Sequence, residues 1–179
     1  MHVPDSGEGV LARINLIYIG PLDRQHHVRE LVQAFLTALD HDPRLHLVVV
    51  GDGSERDLIE RSLGHAATFM GQLAEPARLA ELAPHVDLLV CPTTTADTAP
   101  TIIDAQEHGL PVLAVEGGDA AALIENGRSG FLVPDDDAAL ADAIRWLSRR
   151  ATLRERLATG GLLAAGARQT SGQGRIMSV

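Results

Sequence analysis

The chain has 179 residues, 45% of them hydrophobic, which suits one α/β domain with a buried core. Its formal charge of -9 excludes a broad electrostatic attraction to nucleic acid or anionic lipid, because that attraction scales with the phosphates a protein neutralises. The fifteen Lys-plus-Arg positions are all arginine, so Schiff-base chemistry and a lysine phosphate clamp are excluded as well.

The first 13 residues read as a linker-like segment, and the domain is expected over 14–165. Ile14 to Ile19 is a continuous apolar, β-branched run that suits a strand buried on both faces. Val28 to Leu39 places Val28, Leu31, Val32, Phe35 and Leu39 at helical spacing. Leu45 to Val50 predicts a second strand, and Gly51-Asp52-Gly53-Ser54 turns into a helix reaching about Leu63, with Ser54 as N-cap. A short strand from Ala67 to Met70, a helix from Pro76 to about Ala83 and a strand from Val86 to Cys91 follow.

Thr93 to Thr98 is a loop of hydroxyls and small residues, with Pro100 suited to a first helical position and the helix ending near His108 before Gly109 and Pro111. A small-residue loop at a helix N-terminus is a ready anion site, since free N–H groups and the helix dipole both favour negative charge. The same stretch also reads as an ordinary strand-to-helix loop capped by Thr98. A strand to Val115, a short helix over Asp119 to Ile124, a strand from Gly130 to Val133 and a helix from Ala138 to about Ser148 continue the rhythm. Asp135, Asp136 and Asp137 agree with capping of that last helix better than with a cation site. Thr152 to Ala165 predicts a final helix, and 166–179 a flexible tail of small and polar residues. The alternation argues for an α/β fold with a doubly wound, Rossmann-like parallel sheet, whose ligands bind outside the carboxyl ends of the strands.

Most familiar chemistries fail on spacing. Gly51-Asp52-Gly53 supplies two glycines of a dinucleotide fingerprint and Arg56 stands at the third place. No P-loop exists. The histidines lack ligand spacing, so no metal site is expected, and Ser54 and Ser129 lie outside any nucleophile elbow. Cys91, the only cysteine, ends an apolar strand where a small hydrophobe belongs, which fits a reducing cytoplasm. No segment approaches the roughly twenty apolar residues that span a bilayer, and the opening MHVPDSGEGVLAR has no apolar run of signal-peptide length.

Five segments carry a family resemblance: YIGPLDRQHHV, VVVGDGSERDLIE, TFMGQL, DLLVCPTTTADTAPTIIDAQEHGLPVLA and EGGDAAALIENGRSGFLVPDDDAALADAI. In this order they resemble the C-terminal, nucleotide-sugar-binding domain of GT-B glycosyltransferases, in particular the retaining family 4 (glycosyltransferase group 1). The departures fall where that family does its chemistry. Its diphosphate-binding arginine and lysine become Pro21 and His26, the next glycine becomes His27, and its E-x7-E pair becomes Ala96 and Asp104. The loop glycine becomes Ala99.

The resemblance implies a hexosyltransferase-like donor site for a nucleoside-diphosphate sugar with no further cofactor. Its expected residues are Gly20, Arg24 and His26 on the first loop; Met70 and Gln72 near the base; and Asp97, Thr98, Ala99 and Thr101 around the anion turn. Asp104 would hold the ribose, and no catalytic residue is assigned. Losing both cationic ligands would cost about 3–6 kcal/mol, or two to four decades of affinity. Arg24 and His26 could restore part of that charge, and Asp97 the lost contact to the sugar. In GT-B enzymes the acceptor binds an N-terminal domain, so this chain is expected to need an acceptor-binding partner and to be incomplete or inactive alone. A degenerate, non-catalytic interaction or regulatory module is the alternative, and an epimerase-type use of the fold is a weaker third.

Overall fold

In the computed structural model, residues 12–72 and 78–173 are described. Most of the linker-like segment, the start of the helix expected from Pro76, and the tail beyond residue 173 lie outside them. Six strands form one parallel sheet: β1 Ile14–Ile19, β2 Leu45–Val50, β3 Ala67–Phe69, β4 Leu88–Cys91, β5 Val112–Val115 and β6 Phe131–Val133, in the order β3-β2-β1-β4-β5-β6. Among the described residues the α-helices are α1 Val28–Leu39, α2 Arg56–Leu63, α3 Arg78–Leu82, α4 Thr98–Glu107, α5 Gly118–Leu123, α6 Asp137–Ser148 and α7 Ala151–Gln173.

Strand periodicity divides the core in two. On β1, Leu16 and Tyr18 join one buried cluster with Phe35 of α1 and Ile144 of α6, whereas Ile17 faces a second cluster with Ile102 and Ala105 of α4. Because both faces are covered, the strands are apolar without alternation, as the INLIYI and LHLVVV runs require. The doubly wound expectation therefore holds.

Several local expectations shift. Ser54 does not cap α2: Glu55 takes the N-cap position and turns its carboxylate to Arg24 and Arg29. Thr98 is not the cap of α4 but its first residue, with Oγ1 donating to the Thr95 carbonyl at 2.8 Å, and Pro100 is consequently the third helical residue. Asp136 does cap α6, accepting from the Ala139 N–H at 2.8 Å.

The largest difference is at the end of the chain, where α7 continues past Ala165 to Gln173 instead of fraying from Gly166. Its second half is tied down from α4. Gln106 is fully buried; its amide donates to the carbonyls of Leu123 and Ser129 at 3.3 and 3.2 Å and accepts from Arg168 Nη2 at 2.7 Å. Gln169 adds a 3.1 Å bond to Glu107. Small residues let the helices close, since a Cβ on Gly161 would lie 3.1 Å from the Gln106 side chain. Gln106→Leu, similar in size but unable to bond, is expected to lower stability by about 2–3 kcal/mol, because it strands buried carbonyls and a guanidinium. Urea denaturation measures this directly, and an unchanged midpoint would show that these bonds do not secure α7.

Candidate functional site

The chain winds outward from β1 through β2 to β3, then returns to place β4 on the other side of β1. Neighbouring strands β1 and β4 therefore send their following loops in opposite directions, which opens a crevice at the switch point of the sheet. The loop after β1 leans toward β2: Gly20 N–H donates to Val50 O and Leu22 N–H to Asp52 O, each at 3.0 Å. The loop after β4 leans toward β5. Gly118 has φ 47°, and a Cβ there would stand 2.3 Å from the Thr94 carbonyl, so the Gly-Gly pair at the start of α5 is what lets β5's loop support Thr94.

Between the two loops lies a cleft of about 80 Å³, lined by Gly20, Pro21 and His26 from one side and by Thr93, Asp97 and Thr101 from the other. Two larger grooves, about 450 and 470 Å³, open elsewhere on the surface. Position and converging polar groups, not size, single out the cleft. Its volume falls below the roughly 300–1,000 Å³ of small-molecule sites, so by itself it has room for only part of a ligand of that size.

His26 closes the cleft on one side. It ends the single 3-10 turn Arg24–His26, whose N-cap Asp23 accepts from the His26 N–H at 3.1 Å. The same Asp23 carboxylate meets His26 Nδ1 at 2.6 Å, and Asp97, 71 positions further along the chain, meets Nε2 at 2.7 Å. Thr95 Oγ1 donates to the other Asp97 oxygen. An imidazole bonded to an ionised carboxylate through each nitrogen has to carry both protons. Burial alone would lower its pKa, but the hydrogen bonds and charges of Asp23 and Asp97 outweigh burial and raise it above 6.5. Asp97 is held below the usual carboxylate range by its Thr95 hydrogen bond first and then by His26, against the cost of burial. Asp23 is lowered chiefly by its His26 bond.

Two carboxylates against one imidazolium leave the lip of the cleft with one formal negative charge. The anion-directed groups nearby are thus the backbone at the start of α4 and the Thr101 hydroxyl, because the Thr98 hydroxyl already donates to the Thr95 carbonyl. Ala99 occupies the second helical position, where the N–H has no partner one turn back within the helix. Cys91 also lines the cleft, but burial pushes its thiol up to about 12, which leaves it protonated and inert. Tyr18 is raised by burial too, and its hydroxyl donates to the Pro21 carbonyl at 2.8 Å, fixing the loop after Gly20.

The structure brings Gly20, His26, Asp97, Thr98 and Thr101 to one cleft. Arg24 is drawn elsewhere: its Nε lies 3.4 Å from Glu55, a carboxylate left 7% exposed at the start of α2 and also bound by Arg29 at 2.5 Å. Asp104 sits one turn of α4 below Thr101 and pairs with His108 at 3.0 Å. Met70 and Gln72 follow β3, which β2 and β1 separate from β4. Asp23 and Thr95 are the residues that sequence reasoning missed. The Asp23-x-x-His26 spacing carried half of that signal. Among the described residues, no cluster of three or more His, Cys, Asp or Glu side chains could hold a metal ion, and no helix is long and apolar enough to cross a membrane.

The clamp makes a pH-dependent contribution to stability. Because the folded pKa of His26 is raised, that contribution is complete below 6.5 and is lost as pH rises through the folded value; the lowered Asp97 and Asp23 remove it again at acid pH, below the usual carboxylate range. An NMR titration of the His26 ring is expected to give a midpoint above 6.5, shifted down in Asp97→Asn. A midpoint at or below 6.5 in the unsubstituted protein would contradict the clamp.

Comparison with known proteins gives this geometry a family. The model for "Glycosyl transferases group 1" matches residues 13–150. A GDP-mannose-dependent alpha-mannosyltransferase of Mycolicibacterium smegmatis is 34% identical over 119 residues, which cover 66% of this chain and 30% of the relative. The GtfA subunit of a UDP-N-acetylglucosamine–peptide N-acetylglucosaminyltransferase from Streptococcus pneumoniae is 27% identical over 144 residues, 79% of this chain and 28% of the relative. The chain thus spans less than a third of these relatives. Among solved structures, Anabaena HepE in complex with UDP and glucose superposes with a TM-score of 0.77 at 22% identity, over 96% of this chain and 50% of HepE. The C-terminal domain of the group 1 protein LpcC from Francisella tularensis gives 0.77 at 20% identity, over 88% and 87%. With more than half of its length matched by the family model and the sheet matched by GT-B structures, the chain belongs to the group 1 glycosyltransferases.

Proposed function

We propose that the chain is the donor-binding half of a retaining glycosyltransferase of the family 4 type, equivalent to the C-terminal domain of a GT-B enzyme. The observation that carries this reading is the cleft at the switch point, where the β1 loop and the start of α4 converge. In this reading the donor's diphosphate takes the Ala99 N–H and the Thr101 hydroxyl, with the Gly20 loop closing over it, and the Thr98 hydroxyl would join only by leaving the Thr95 carbonyl. Asp104 would turn from His108 to the ribose hydroxyls, Met70 and Gln72 would flank the base, and Asp97 would face the sugar. Arg24 would join the phosphates only by leaving Glu55.

Fixed donors aimed at the departing diphosphate supply the main catalytic effect, and neither a metal nor another cofactor is required. His26 contributes only by exchanging a carboxylate for a phosphate oxygen, because both of its nitrogens are engaged. The small volume of the cleft supports a site completed by an acceptor-binding domain or subunit. The buried, single Cys91 agrees with a reducing, cytoplasmic setting.

Calorimetric titration with UDP, GDP and ADP tests the donor site. One nucleotide is expected to bind with Kd below about 100 μM, about -5.5 kcal/mol, and Asp104→Ala to weaken it at least about tenfold. Absence of binding for all three at millimolar concentration would contradict the reading and favour a non-catalytic module.

A further inference from the structure

Away from the cleft and sharing no residue with it, a groove of about 450 Å³ runs between edge strand β6 and helix α6. Its volume lies within the roughly 300–1,000 Å³ range of small-molecule sites. The floor is apolar. Phe131 and Val133 project from the same side of β6, and Ala139, Ala143 and Trp146 face them from α6. Trp146 is tilted 39° to Phe131 with ring centroids 5.3 Å apart, yet remains 38% exposed. An exposed tryptophan over an apolar floor is surface that the fold itself does not need to leave open.

The rim has the opposite character to the rest of the molecule. In a chain of charge -9, this groove gathers Arg145, Arg149 and Arg150 against a single lining carboxylate, Asp142. Asp142 is taken by Arg145 at 2.8 Å. Arg149 donates to the His41 carbonyl at 2.7 Å and stands 3.8 Å from Asp42, a buried carboxylate that Arg44 already holds through two bonds. Arg150 has no carboxylate partner among the described residues; its guanidinium lies 4.7 Å from the centre of the Trp146 ring and donates to the Trp146 carbonyl at 3.1 Å. A guanidinium stacked on an indole keeps in-plane N–H groups available for an anion.

We propose that this groove binds a small organic anion that joins an apolar ring to a phosphate, with the ring against Phe131 and Trp146 and the phosphate on Arg149 and Arg150. Addition of a peptide strand to β6 is disfavoured, because the Leu132 N–H on that edge is already taken by Asn126 Oδ1 at 2.9 Å. The proposal is independent of the donor site.

Trp146 is the only tryptophan in the chain, so its fluorescence reports on this groove alone. Titration with phenyl phosphate is expected to give a saturable change with Kd below about 1 mM, at least about tenfold tighter than inorganic phosphate or phenol. Arg150→Gln, at an exposed position, should weaken phenyl phosphate about tenfold, as loss of a charge-assisted contact implies, while Arg156→Gln on α7 should leave it unchanged. The indole N–H resonance of Trp146 provides a second readout. A linear, unsaturated response, equal affinity for inorganic phosphate, or insensitivity to Arg150→Gln would each overturn the proposal.

Discussion

His26 can satisfy Asp23 and Asp97 together only as a cation, and that requirement fixes how the loop after β1 meets the loop after β4. Strand order opens the crevice; the imidazolium sets its width. Asp23 caps the turn that carries His26, so ring and turn are positioned by one carboxylate, and Asp97 stands immediately before α4. Movement of either loop would break a short charge-assisted bond. Thr95 extends the network by occupying the second Asp97 oxygen, which leaves that carboxylate directed at the cleft and kept from capping its own helix.

This arrangement reverses the electrostatics expected of a diphosphate site. Pro21, whose carbonyl is bound by Tyr18, and a histidine whose charge is already neutralised stand where the resemblance implies an arginine and a lysine. Under the proposed donor reading, anion binding would fall to backbone dipoles at the start of α4, which are fixed in place and cost no desolvation of a charged side chain. The walls behind them are rigid for ordinary reasons. Glycines 117 and 118 admit the Thr94 backbone, and buried Gln106 ties α4 to the α5 end, the Ser129 turn and α7.

What depends on local pattern was legible in the sequence. The apolar runs over Ile14 to Ile19 and Leu45 to Val50, the helical spacing from Val28 to Leu39 and the Asp136 cap all appear where periodicity and cap preference put them. Contacts set by tertiary geometry were not legible. Nothing local to Arg24 shows that Glu55, 31 residues on, will claim it, and nothing near Asp97 shows that His26 will reach it across the crevice. The end of α7 was misread for the same reason: glycine and small polar residues lower helix propensity, but Arg168 docks on a glutamine 62 positions earlier and overrides it. The groove beside Trp146 was equally hidden, since it needs β6 and α6 side by side.

The most direct measurement is a two-dimensional amide spectrum of the labelled protein titrated with UDP. Binding at the switch point predicts saturable shifts at Gly20, His26, Thr98, Ala99 and Thr101, with the His26 ring resonances moving as a phosphate oxygen replaces a carboxylate, and no shift at the Trp146 indole. Shifts confined to other surfaces, or a spectrum unchanged at millimolar UDP, GDP and ADP, would contradict the assignment of this cleft as the donor site.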